Sequence, residues 1–198
     1  MEEISLIDTI ENPLTGYTMT FLEATDELFR FSEVAKPGAP APPLHVHPFQ
    51  EERFEVIRGT VAFTRGDQTV VCGPGEGVAI PAGVAHTFRN EGDSEAEMFG
   101  EYRPGRPQAS RRFHEVYFAL ARAGATDAKG MPAIWQTAVE MPLVSDHVRL
   151  VSPPWPIQRA ALAILRPFAR ILGYRPFDLE RPEPVTGPAA QKAVGQAE

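Results

Sequence analysis

The stretch His45-Val46-His47-Pro48-Phe49-Gln50-Glu51-Glu52, answered downstream by Gly83-Val84-Ala85-His86, decides how this chain is to be read. Side chains alternate faces along a strand, so His45 and His47, two apart, point the same way and can grip one ion from one face. Glu52 adds a carboxylate oxygen and His86 a third imidazole. Three neutral imidazoles and one carboxylate form a mixed nitrogen and oxygen set suited to one divalent first-row metal: Fe, Mn, Co, Ni, Cu or Zn. The competing reading, a metal-free interior, has to bury four converging polar groups with no ion between them, which is costly.

The spacing of these residues carries a resemblance. The first block runs His45, one residue, His47, four residues, Glu52, six residues, Gly59. The second runs Gly75, five residues, Pro81, one, Gly83, two, His86, three, Asn90. Both are similar to the two cupin motifs, with every marked position filled and a short linker of fifteen residues between Gly59 and Gly75. The likeness covers about residues 12 to 104 and resembles the single-domain bacterial cupins described as quercetin-dioxygenase-like. It implies a mainly β chain: an antiparallel barrel of the jelly-roll, double-stranded β-helix type. It also implies His45, His47, Glu52 and His86 as metal ligands. The neighbouring Glu51 is a rival for the carboxylate position, but only Glu52 leaves six residues before Gly59. Glu52 also shares strand parity with the apolar Phe54 and Val56, whereas Arg53 and Glu55 alternate outward.

Outward from this stretch, short strands are expected at 54–57, 60–64, 69–72, 77–80, 86–90 and 96–102. Turn signals separate them at Arg65-Gly66-Asp67, Gly73-Pro74-Gly75, Pro81-Ala82-Gly83 and Glu91-Gly92-Asp93. Such punctuation argues a small all-β barrel or sandwich. In the last strand Glu95, Glu97 and Glu101 share one parity and Met98 and Tyr102 the other. Met98 and Tyr102, with Phe54, Phe63 and Phe88, are expected to give a substrate pocket around the metal an apolar, aromatic lining. Upstream, 17–22 and 28–32 read as further strands. The run Pro37-Gly38-Ala39-Pro40-Ala41-Pro42-Pro43 interrupts regular structure and reads as a semi-rigid surface segment.

Three regions are expected: a barrel at 1–104, a helical extension at 105–175 and a tail at 176–198 too rich in Pro, Ala, Gly and Gln to order. Phe113, Val116, Tyr117 and Leu120 fall on one helical face, and Gly124 stops that helix. Further helices are expected at 132–140 and 156–172, the last kinked by Pro167. His114 and His147 lie outside both motifs and read as surface or packing residues. Residues 1–102 carry eighteen acids and six bases, whereas 103–175 carry eleven bases and four acids. This asymmetry predicts that the basic helices pack on the acidic barrel, in the same chain or in a dimer partner. A rival role for 157–172, with its interleaved arginines, is a helix lying on a membrane surface.

A length of 198 residues with 43% hydrophobic content suits one domain with an appendage, and the net charge of -7 disfavours nucleic acid as a partner. The single cysteine, Cys72, forms no internal disulfide, and Met1-Glu2-Glu3 lacks the pattern of a signal peptide, so a cytoplasmic protein is expected. Long sheet edges favour a homodimer. Three functional readings follow. In the first, a metal-dependent dioxygenase acts on a small, largely apolar or aromatic oxygenated substrate, with Glu52 as proton acceptor. In the second, a redox-neutral isomerase, cyclase or lyase uses the same ligands. The third is a non-catalytic barrel that binds a small ligand. Redox activity of the metal separates the first two, and turnover separates both from the third.

Overall fold

The structure, a computed structural model, describes residues 8–179, so most of the tail expected at 176–198 lies outside the described residues. Eleven strands build two antiparallel sheets among the described residues. The first sheet has the order β1 (Thr9–Asn12), β2 (Tyr17–Ala24), β3 (Phe29–Ala35), β10 (Ala96–Arg103), β5 (Glu51–Arg58), β8 (Gly77–Ile80). The second runs β11 (Arg149–Leu150), β4 (His45–Val46), β9 (His86–Asn90), β6 (Val61–Arg65), β7 (Gln68–Cys72). Non-sequential neighbours, such as β10 between β3 and β5, give the jelly-roll connectivity that the motif spacing implies.

Period-two patterning explains why these segments pair as they do. In β5, Glu52, Phe54 and Val56 are buried while Arg53 and Glu55 are exposed, and in β10 Ala96, Met98, Gly100 and Tyr102 are buried. The inner faces meet in one core, where Phe31 contacts Phe54 edge-on at 6.5 Å and Phe54 stacks on Phe63 of the opposite sheet at 5.1 Å. Full burial of each such ring contributes about 2–3 kcal/mol. Cys72 is a small buried member of that core.

Three helices follow β10: α1 (Pro107–Arg122), α2 (Ile134–Val144) and α3 (Trp155–Ile171). Pro107 suits the first turn, where its missing N–H has no partner to lose, and Gly124, at φ 68°, follows the end of α1. Val116 and Leu120 bury one side of α1, while Phe113 and Tyr117 pack toward a second cluster between α2 and α3, built on Val139, Met141, Leu162 and Ala169. Helix α1 lies against β1 of its own chain: Arg111 bonds Asp8 and Glu115 at 2.5 Å each, and Arg122 donates to the Glu11 carbonyl at 2.9 Å.

Two expectations gain detail. Besides its three helices, the segment 105–175 carries β11, which adds a strand to the second sheet and pairs Arg149 with Val46 and Leu150 with His45. The proline-rich run is irregular, but it is more than a surface connection. Proline carbonyls keep their acceptor capacity, and three are used: Pro40 by the Tyr17 hydroxyl, Pro42 by Thr87 and Pro43 by His45.

Candidate metal centre

His45 and His86 face each other in register across β4 and β9, and His47 follows two residues after His45. Glu52 enters from the other sheet, from the inward side of β5. One ligand atom from each of His45, His47, Glu52 and His86 lies within 4.8 Å of the other three. His47, Glu52 and His86 are fully or nearly fully buried, with exposures of 2%, 3% and 1%.

The orientation of the three rings is fixed from behind. Each Nδ1 meets a backbone carbonyl: His45 with Pro43 at 2.9 Å, His47 with His147 at 2.7 Å and His86 with Val84 at 2.9 Å. A carbonyl only accepts, so each Nδ1 carries the proton and each Nε2 presents a lone pair inward. Nε2 of His47 and of His86 and Oε2 of Glu52 are buried with no properly formed hydrogen bond, although His86 Nε2 approaches Oε2 to 2.6 Å. Burial holds His45 down to about 4, assisted by the neighbouring His86, and it drives His47 well below the usual imidazole range. Burial acts the same way on His86, but the adjacent Glu52 carboxylate outweighs it and raises that imidazole. Neutral imidazoles with inward lone pairs, plus one carboxylate oxygen, are what a divalent first-row ion requires, so these residues fit such an ion.

Behind His47 stands a layer that the motifs do not contain. His147 Nδ1 donates to Gln50 Oε1 at 2.8 Å, and Gln50 Nε2 donates to the Pro104 carbonyl at 2.8 Å. The His147 ring lies 4.6 Å from that of His47, and His114 Nε2 is 3.2 Å from the Tyr102 hydroxyl. Both histidines are buried, so of the surface and packing roles expected for them the packing one holds, and all five histidines of the chain gather in this region. Burial lowers His114 to about 3 and lowers His147 as well.

A cavity of about 150 Å³ opens beside His45, His47 and Glu52. Strands supply Tyr17, Glu33, Phe88 and Tyr102 to its wall; the helical segment supplies Phe113, His114, Tyr117 and Phe118. Of the five pocket residues expected from sequence, Phe88 and Tyr102 line this cavity. Phe54, Phe63 and Met98 do not: they are 4%, 1% and 1% exposed and pack in the core below it. Alternation selects the inward face but not the level along the barrel. Sequence reading missed Glu33, although a signal existed, namely an acid on the inward parity of Phe29, Phe31 and Ala35. For His147 no local signal was present.

Residues 31–100 match the family model described as "Cupin domain". "Oxidoreductase OpS7" of Beauveria bassiana is 37% identical over 105 residues, covering 46% of this chain and 34% of that protein. "Polyketide synthase CurC" of Streptomyces cyaneus is 35% identical over 66 residues, covering 33% of this chain and 43% of the relative. The chain thus spans less than half the length of either curated relative. A solved RmlC-like cupin from Shewanella frigidimarina matches with a TM-score of 0.47 at 17% identity, covering 55% of this chain and 96% of that one.

Proposed function

We propose that this chain, whose residues 31–100 match the cupin-domain model, is a cupin and a metal-dependent enzyme of dioxygenase type. In this reading His45, His47, Glu52 and His86 hold one divalent ion, and the substrate is a small, largely apolar or aromatic oxygenated molecule. The observation that carries it is the convergence of three carbonyl-anchored imidazoles and Glu52 beside an aromatic-walled cavity. A bound ion would supply Lewis acidity and, for a redox-active metal, the means to use dioxygen. The protein's own residues do the rest. The Glu52 carboxylate takes the proton of an enolic or phenolic hydroxyl presented beside it. Phe88 and Tyr102 from the barrel, with Phe113 and Tyr117 from α1, cover the body of the substrate and keep water out. Of the relatives' names, an oxidoreductase and a polyketide synthase, the first supports a redox reaction.

A redox-neutral isomerase, cyclase or lyase is the second reading, favoured by one observation: Glu33 places another carboxyl in the same cavity, in a different environment from Glu52. The test begins with elemental analysis of protein purified without added metal, where His86→Ala should retain much less metal than the parent. Oxygen uptake by the loaded protein is then followed over flavonols, catechols and β-diketones. Equal turnover without oxygen would promote the redox-neutral reading, and ligand binding without turnover would leave a binding barrel.

The assembly and setting belong to the same proposal. Ile157, Ala161, Ile164, Phe168 and Ile171 recur at spacings of four, three, four and three along α3 and are all exposed. This is the seam that another helix covers, and Arg159, Arg166 and Arg170 fall on the opposite side of the helix, leaving the seam uncharged. A second copy of this chain, contributing the same uncharged seam, is its occupant. No described helix is long and apolar enough to cross a membrane. The lone, buried Cys72 supports a reducing, cytoplasmic compartment.

A further inference from the structure

Strand β3 turns Phe29, Phe31, Glu33 and Ala35 inward, an apolar series interrupted by one acid. Glu33 is 6% exposed and lines the cavity, yet among the described residues its carboxyl has no hydrogen-bond or ion-pair partner; the groups that sense it do so through space. Its register neighbours are Met19 on β2 and Met98 on β10, neither of which can satisfy it. Tyr17, close by, commits its hydroxyl to the Pro40 carbonyl. Two other cavity-lining atoms, Thr15 Oγ1 and the Tyr117 hydroxyl, are also buried without partners. Unpaired buried polar groups are costly, and in a cavity they mark where a ligand's polar atoms belong.

Register separates this group from the metal ligands. Along β10, Met98 pairs with Glu33 and Tyr102 pairs with Glu52, a difference of four residues, or roughly 13 Å of strand. The two carboxyls therefore reach the same cavity from backbone positions offset along the strands, beside aromatic side chains such as Tyr17, Phe88 and Tyr102.

We propose that Glu33 is a specificity-determining residue that hydrogen-bonds a hydroxyl at the end of the substrate remote from the metal-binding oxygen. The ligand class is then a molecule with an aromatic or enolic body, one oxygen terminus for the ion and a second, uncharged hydroxyl for Glu33. Burial, reinforced by the charge of Glu52, pushes the Glu33 carboxyl up to about 8. At neutral pH it thus offers both an O–H to donate and a carbonyl oxygen to accept, which a hydroxyl satisfies and an ammonium does not. This inference rests on the metal-centred reading of the same cavity.

Calorimetric titration of the full-length, Zn(II)-loaded protein tests it with a matched pair of probes, biphenyl-3,4-diol and biphenyl-3,4,4′-triol. The diol end addresses the ion in both, and only the triol carries the remote hydroxyl. The parent should bind the triol roughly tenfold more tightly. Glu33→Gln, which keeps a donor and an acceptor, should preserve most of that preference, and Glu33→Leu should abolish it while leaving the diol affinity within about twofold. A preference that survives in Glu33→Leu, or a parent with no preference, overturns the inference and leaves the metal reading intact. Probe binding unchanged on removing the Zn(II) overturns the metal reading instead. Failure of the loaded parent to bind either probe overturns the ligand class.

Discussion

At Gly59 the backbone takes φ 78°, and a Cβ there would stand 2.7 Å from the Cα of Ala96 and 2.9 Å from the Glu95 carbonyl oxygen. The motif glycine is thus required twice, by a left-handed conformation and by the close approach of the strand that begins at Ala96. Gly59→Ala should cost about 2–4 kcal/mol, with the urea midpoint falling and the slope unchanged. His114 makes a second residue-level prediction. Its folded value is lowered to about 3 by burial, then by His45, against about 6.5 in an unfolded chain. Between those values the unfolded chain holds a proton that the folded one does not, so stability falls as pH drops through that window. Each such group contributes at most about 1.4 kcal/mol per pH unit. His45, His47 and His147 act in the same direction. Glu33, His86 and Glu140 are raised and act in the opposite direction, so the test is a difference: between pH 7 and 4 the urea midpoint of metal-free His114→Phe should fall less, or rise more, than that of the parent.

Among the elements, α1 decides whether the cavity is closed, and Glu140 of α2 decides whether α1 stays in place. Glu140 is completely buried and accepts from Arg112 of α1 at 3.3 Å, from Gln136 Nε2 at 3.0 Å and from the Phe177 N–H. One carboxylate thereby ties α1, α2 and the segment after α3. Glu140→Ala removes the buried partner of Arg112 and leaves the Phe177 N–H unpaired, while Gln136 Nε2 keeps the Arg175 carbonyl and Arg112 the Phe177 carbonyl; it should destabilise the protein by about 3 kcal/mol in thermal unfolding. Because Phe113 and Tyr117 ride on α1, probe affinity should fall as well.

For the whole molecule, the exposed seam of α3 predicts an assembly. Ile164 and Phe168 are 65% and 55% exposed, and Ile171 is 81% exposed. A second copy applied along this seam would remove that surface from water. Light scattering should give twice the chain mass for the parent and a single chain mass for the double variant Ile164→Glu, Phe168→Glu, with metal content unchanged. A monomeric parent that binds anionic vesicles would replace the dimer with a lipid surface.

The sequence by itself determined the strand series from 54 to 102, and it singled out the His45, His47, Glu52 and His86 set that the fold then brings together. These features follow from alternation and turn chemistry, both of which act over a few residues. The same locality explains why Glu52 could be preferred to Glu51: parity turns one inward, and the other pairs with Arg53 at the surface. Tertiary structure alone decided the depth of each inward side chain, which left Phe54, Phe63 and Met98 in the core and brought Phe88 and Tyr102 to the cavity. It alone set His147 behind His47 and brought Glu33 and residues of α1 to the wall of the cavity beside His45, His47 and Glu52. Those placements depend on contacts between segments far apart in the chain, which no local period encodes. His47 and His147 are a hundred residues apart and meet only because β11 joins the sheet at β4.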